Sequence, residues 1–208
     1  MNKKYELTKE SVVIHGRTMY IIRALRDFGD VKAGDLGGAI ESENNLSHTG
    51  NCWIYGTAWA SENAKVSGNA SISEWAWVIA NARVCGESQI SGHVEICGYA
   101  KVCGNAKVSG YAHVFGNTNI SGNAKLCGAA WTFAGAHIYG YAHVFGDIRV
   151  CGSAHVYGDA HVFSSHGLYI RGNIELNHGV WTQHVKIDGK NYLLSPTLEK
   201  TFVGMNYV

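Results

Sequence analysis

From Asn45 to Ser164 the chain repeats in sixes for twenty hexads, without one insertion or deletion. The frame is clearest where "YAKVCG", "NAKVSG" and "YAHVFG" follow one another over residues 99 to 116. The fourth position is aliphatic almost throughout, from Ile54, Val66 and Ile72 to Val156 and Val162, with His48, Ala60 and Thr132 as exceptions. The second position is small, mostly alanine: Ala58, Ala64, Ala70, Ala100, Ala106 and Ala112 among others. Side chains alternate along a strand, so this pattern points positions two and four inward and positions three and five outward. Glycine closes most hexads, and the recurring "GN" junctions predict positive φ at sharp corners.

Six is not a helical period, and a glycine every six residues would be costly in a helix. Strands this short, all of one polarity, do not alternate as a meander requires. The pattern therefore predicts an all-β, single-stranded parallel β-helix, with short strands joined at corners and coils stacked at ~4.8 Å. Outside the repeat, "VVIHGRTMYIIRAL" (12–25) reads as a hairpin turning at His15-Gly16, and "HVKIDGKNYLLS" (184–195) as another turning at Asp188-Gly189. Hairpins there would cap the open coil ends. The division expected is a β cap over 1–44, the repeat over 45–176 and a hairpin with tail over 177–208.

Charge and cysteine content narrow the function classes. A formal charge of +1 argues against bulk capture of nucleic acid. No apolar run approaches the ~18 residues of a membrane helix, and no signal peptide is evident. The six cysteines form no C-x-x-C pair, which fits free thiols in the cytoplasm.

The recurring aliphatic-x-G-N-A-x phrase resembles the hexapeptide-repeat family with a left-handed β-helix, which includes many trimeric acyltransferases. Within it, "VKAGDLGGAIESENNLS" (31–47) followed by such repeats is similar to a YdcK-like, transferase-like group found in bacterial and prophage genomes. The resemblance implies a left-handed coil of three hexads, a homotrimer, coenzyme A lying between subunits and a histidine as general base.

With three hexads per coil, residues eighteen apart stack. One face then carries Lys65, Arg83, Lys101, Asn119, His137 and His155. The next carries Trp53, Ser71, Gln89, Lys107, Lys125, His143 and His161. The third carries Trp59, Trp77, Glu95, His113, Trp131 and Arg149, beside Ser61, Ile79, Cys97, Phe115, Phe133, Cys151 and Tyr169.

On the third face Trp59, Trp77, Ile79, Phe115, Trp131 and Phe133 are too apolar to be left to water, so a subunit contact is expected there, with a terminal segment folding back or a ligand groove as the alternatives. His113 is the catalytic candidate, because histidine titrates near neutrality and Glu95, one coil away, stands where it can orient it. Relatives often place the base near a loop excursion from the coil; none interrupts residues 45–164, which argues against catalysis. The ladders His137/His155 and His143/His161 are ligand-binding candidates. No carboxylate is expected in their columns, so no metal site is assigned. The stripe Lys65–Arg83–Lys101, with Lys107 and Lys125 around the corner, suits the phosphates of a nucleotide or of coenzyme A. The function expected is an oligomeric, non-catalytic binding or scaffold protein that contacts a partner protein or a nucleotide-type ligand and needs no cofactor. The alternatives are a coenzyme A-dependent acyltransferase and a phage-related inhibitor or sponge of a host defence component.

Overall fold

The computed structural model describes residues 3–187, 190–194 and 202–205. From Ser71 to Ile138 each hexad supplies one short strand, and each of these pairs in parallel with the strands eighteen residues before and after it. Gln89 aligns with Ser71 and Lys107, Glu95 with Trp77 and His113, and Lys101 with Arg83 and Asn119. The result is a parallel β-solenoid, and the face that begins at Trp53–Ile54 stacks eight rungs, ending at Val180–Trp181.

Backbone polarity is satisfied from coil to coil: the Lys107 amide donates to Ala124 O at 2.9 Å and the Ser109 amide to Leu126 O at 2.9 Å. The inward positions form the core as the hexad frame predicts, with Ala100, Val102, Ala106 and Val108 all at 0% exposure. Aliphatic side chains alternating with alanine fill this narrow interior.

At the corners the residue with positive φ is the glycine alone; the asparagine after it does not share that conformation. Gly104 has φ +69°, and a Cβ there would lie 2.9 Å from the N and O of Gly122 in the next coil. The asparagines instead hydrogen-bond along the stack, as in Asn105 Nδ2 to Asn123 Oδ1 at 3.0 Å. Where glycine is missing, Glu62, Glu74, Ala80 and Ala134 take the same left-handed conformation.

The N-terminal segment forms β1 (Tyr5–Ile14), β2 (Arg17–Ala24) and β3 (Leu36–Ile40). The β1–β2 hairpin turns through His15 and Gly16 at φ 50° and 77°, and β3 pairs in parallel with Trp59–Ala60. Tyr5, Ile22, Phe28 and Val31 join the solenoid core and close its first coil. Phe28 and Tyr5 also cover Trp53, which is 1% exposed although its place in the hexad points outward. Lys4 is buried here: its Nζ donates to Cys52 O at 2.7 Å and stands 5.0 Å from the Phe28 ring centroid. Burial holds the Lys4 ammonium below its ordinary pKa.

At the other end, Gln183–Ile187 pairs antiparallel with Lys190–Leu194, and that strand with Phe202–Met205. The expected turn residues 188 and 189 lie outside the described residues.

One change of register follows the last hexad. His143 pairs with His161, but Ile148 pairs with Leu168 and Arg149 with Tyr169. The two extra residues correct two expectations. Tyr169 stands in the column of Arg149, not beside Cys151. A carboxylate does share a histidine column, since His155 pairs with Glu175. Among the described residues no helix is long and apolar enough to cross a membrane.

Candidate functional site

The face that begins at Trp59 divides into a covered and an open part. In the covered part, Met19 of β2 packs with Ala39 and Trp59, while Ile14, Ile21, Trp77 and Ile79 surround them. The ring of His15 meets Trp59 edge-on at 5.8 Å and Trp77 at 5.4 Å. Arg17 fastens the hairpin by donating to Glu41 Oε1 at 2.9 Å and pairing with Glu62 Oε1 at 3.3 Å. For Trp59, Trp77 and Ile79, therefore, the occupant is the chain's own terminus rather than a second subunit. The aromatic columns are visible in the sequence, but the length of β1 and β2, which decides how far the hairpin reaches, is not.

Beyond the hairpin the face opens. His113 Nδ1 and Glu95 Oε2 are 3.1 Å apart, both groups half-buried. Trp131 lies over His113 with 4.6 Å between ring centroids. Phe115 meets Trp131 edge-on at 5.6 Å and stacks on Phe133 at 5.6 Å. The Arg149 guanidinium spans the Trp131 and Tyr169 rings, 5.8 and 5.0 Å from their centroids. Cys97 shares this surface, but burial first and the Glu95 carboxylate second push its thiol up to about 11. It is a protonated thiol at neutral pH and not a nucleophile.

The other candidates lie on the remaining two faces. Lys65, Arg83 and Lys101 align in one column, and Lys107 aligns with Lys125 in another. All five side chains are exposed, and none makes an ion pair among the described residues. His137 stacks on His155 at 4.7 Å and 18°, and Tyr139 on Tyr157 at 4.9 Å and 7°. Near-parallel imidazoles present ring faces to each other, not lone pairs to a common point. Glu175, above His155, accepts from Tyr157 Oη at 3.2 Å. His143 and His161 are tilted by 47° at 4.6 Å. Burial, then His155, holds His137 below the usual histidine pKa; burial, then Lys125 and His161, does the same for His143. Among the described residues no three histidine, cysteine or carboxylate side chains gather as a metal site.

For coenzyme A, the candidate phosphate contacts and the candidate base lie on different faces of one chain. The exposed cations suited to its phosphates stand on faces other than that of His113, and Arg149, on the same face, is engaged by two rings. The chain matches no protein-family model and none of the curated proteins.

Proposed function

We propose that the chain is an oligomeric β-solenoid binding protein, without catalysis of its own, whose copies associate through the open part of the aromatic face. The observation that carries this is Trp131, 37% exposed beside Phe115 and Phe133 where the chain's own hairpin no longer reaches. Contiguous aromatic surface of this kind is typical of interface cores. The trimeric state, the left-handed sense of the coil and the YdcK-like subgroup come with the resemblance of the repeats and belong to the same proposal. The flat faces with their unpaired lysines and histidine ladders are then free for a partner protein or a small ligand. Trp131→Asp tests this by light scattering after size exclusion. The expected result is dissociation of the wild-type assembly to folded monomers, and an unchanged assembly overturns it.

One observation favours a second reading. The Glu95 carboxylate on His113 Nδ1 leaves Nε2 as the free nitrogen, the arrangement of an oriented general base. As an acyltransferase the protein would use His113 to take the acceptor's proton. Turnover of acetyl-coenzyme A over a panel of amines and sugars, falling at least ~100-fold in His113→Ala, would support it. No turnover by the wild type removes it.

A further inference from the structure

We propose that the corner between the Lys107 face and the His113 face binds a nucleoside phosphate, with its base stacked on Tyr111 over Ala129 and its phosphate on Lys107 and Lys125. This names a ligand for the binding protein proposed above. It uses none of Phe115, Trp131 or Phe133, so it can fail while self-association stands, and the reverse.

The corner column runs Thr57, Trp75, His93, Tyr111, Ala129 and Asp147. The register of the flanking strands fixes it: Val108 with Leu126 and His113 with Trp131 set Tyr111 against Ala129. Cys127 with Phe145 and Trp131 with Arg149 set Ala129 against Asp147. The first three rings form a ladder, Trp75 on His93 at 6.0 Å and 2°, and His93 on Tyr111 at 5.1 Å and 3°. The ladder projects into solvent, with Trp75 61% and Tyr111 62% exposed. It stops where the next rung offers only the methyl group of Ala129. Among the described residues, the side of Tyr111 turned away from His93 thus carries no ring. The rungs of Tyr111 and Asp147 are about 9.6 Å apart at two sheet spacings, room for one planar ring system stacked on Tyr111. Such stacking tolerates any base, because every base has a π-face.

The second element is charge. Lys107 and Lys125 align on the adjoining face, each four residues before its corner residue, and both are exposed. Neither makes an ion pair among the described residues. Between cations and corner lie only the short side chains of Ser109 and Cys127. The four residues from Lys125 to Ala129 span roughly 13 Å at most. A nucleoside phosphate together with a flexible lysine side chain covers that distance. The stripe Lys65–Arg83–Lys101 lacks this combination. One of its corners carries asparagines bonded to one another and to Glu87, and the other carries Tyr99 alone between Asn81 and Asn117.

Calorimetric titration of the full chain with AMP, adenosine and inorganic phosphate tests the site. Saturable AMP binding, tighter than adenosine or phosphate alone, is expected. Ala129→Tyr continues the ladder with the residue already tolerated at 111 and should weaken AMP at least ~10-fold by occupying the rung. Lys125→Ala should weaken AMP while leaving adenosine unaffected. No saturable AMP binding up to roughly millimolar concentration overturns the proposal. So does AMP affinity that survives Ala129→Tyr, or phosphate binding as tightly as AMP.

Discussion

His15, at the tip of the β1–β2 hairpin, and Trp77, in the second rung of the aromatic face, meet edge-on with 5.4 Å between their ring centroids. This contact marks how far the N-terminal segment reaches. Below it, aromatic side chains are core; above it, similar side chains are surface. The same residue type at equivalent hexad positions therefore has two different energetic roles.

Truncating the two tryptophans separates those roles. Trp59 is 7% exposed and packed against Met19, so Trp59→Ala should cost about 3–5 kcal/mol. Trp131→Ala removes a side chain that is already 37% exposed and should cost less than half as much in the isolated chain. Urea unfolding under dilute conditions measures both. Equal losses would mean that the hairpin does not cover the lower face.

The hexad frame predicts opposite outcomes at neighbouring residues. Val108→Asp places a carboxylate in a fully buried aliphatic interior with no partner and should prevent the adjacent coils from folding. Lys107→Asp, on an exposed side chain, should stay within about ±0.5 kcal/mol. Circular dichroism melts of the two variants decide it.

Corner chemistry predicts a sign reversal between two alanine–glycine exchanges. Gly104→Ala combines a φ of +69° with a Cβ 2.9 Å from the next coil's backbone, so it should destabilise by more than ~1 kcal/mol. Ala134 already bears the strain of a left-handed φ of 62°, and Ala134→Gly should stabilise by up to ~1 kcal/mol. Chemical denaturation midpoints that move the same way in both variants would contradict this account.

Much of this architecture was legible because a two-residue strand between corners leaves little freedom. Once Ala106 and Val108 face inward, Lys107 must face out, while the eighteen-residue register follows from the three hexads per coil that the family resemblance implies, not from the period itself. The exceptions come from contacts that no local pattern encodes. Trp53 and Trp59 occupy outward positions yet are buried, because Phe28, Tyr5 and Met19 arrive from the terminal segment. Counting in eighteens past Ser164 puts Tyr169 beside Cys151 and no carboxylate above His155, whereas two extra residues shift the register and bring Tyr169 to Arg149 and Glu175 to His155. The pairing of Glu95 with His113 followed from the stacking rule. The ring ladder Trp75–His93–Tyr111 was equally readable from spacing, but its first-position residues look like turn residues when only the inward and outward columns are compared.

Stability of the C-terminal coils should depend on pH through His137 and His143. Both are held below the ordinary histidine value, burial being the larger cause and a stacked histidine, with Lys125 for His143, the addition. The folded state thus prefers the neutral rings, and the unfolded chain binds more protons once pH falls below about 6.5. Their contribution is complete above that value and is lost as pH falls toward the lower folded pKa. Thermal midpoints should drop between about pH 7.5 and 5.5, and the drop should shrink in His143→Gln. A drop unchanged in His143→Gln would assign it to other groups.

The most direct test of the central claim, that copies associate through the open aromatic face, is sedimentation equilibrium of the full chain at micromolar concentration. An assembly of three chains of 22.5 kDa each is expected, dissociating on dilution and weakened by Trp131→Ala. A single species at 22.5 kDa across the concentration range would contradict it.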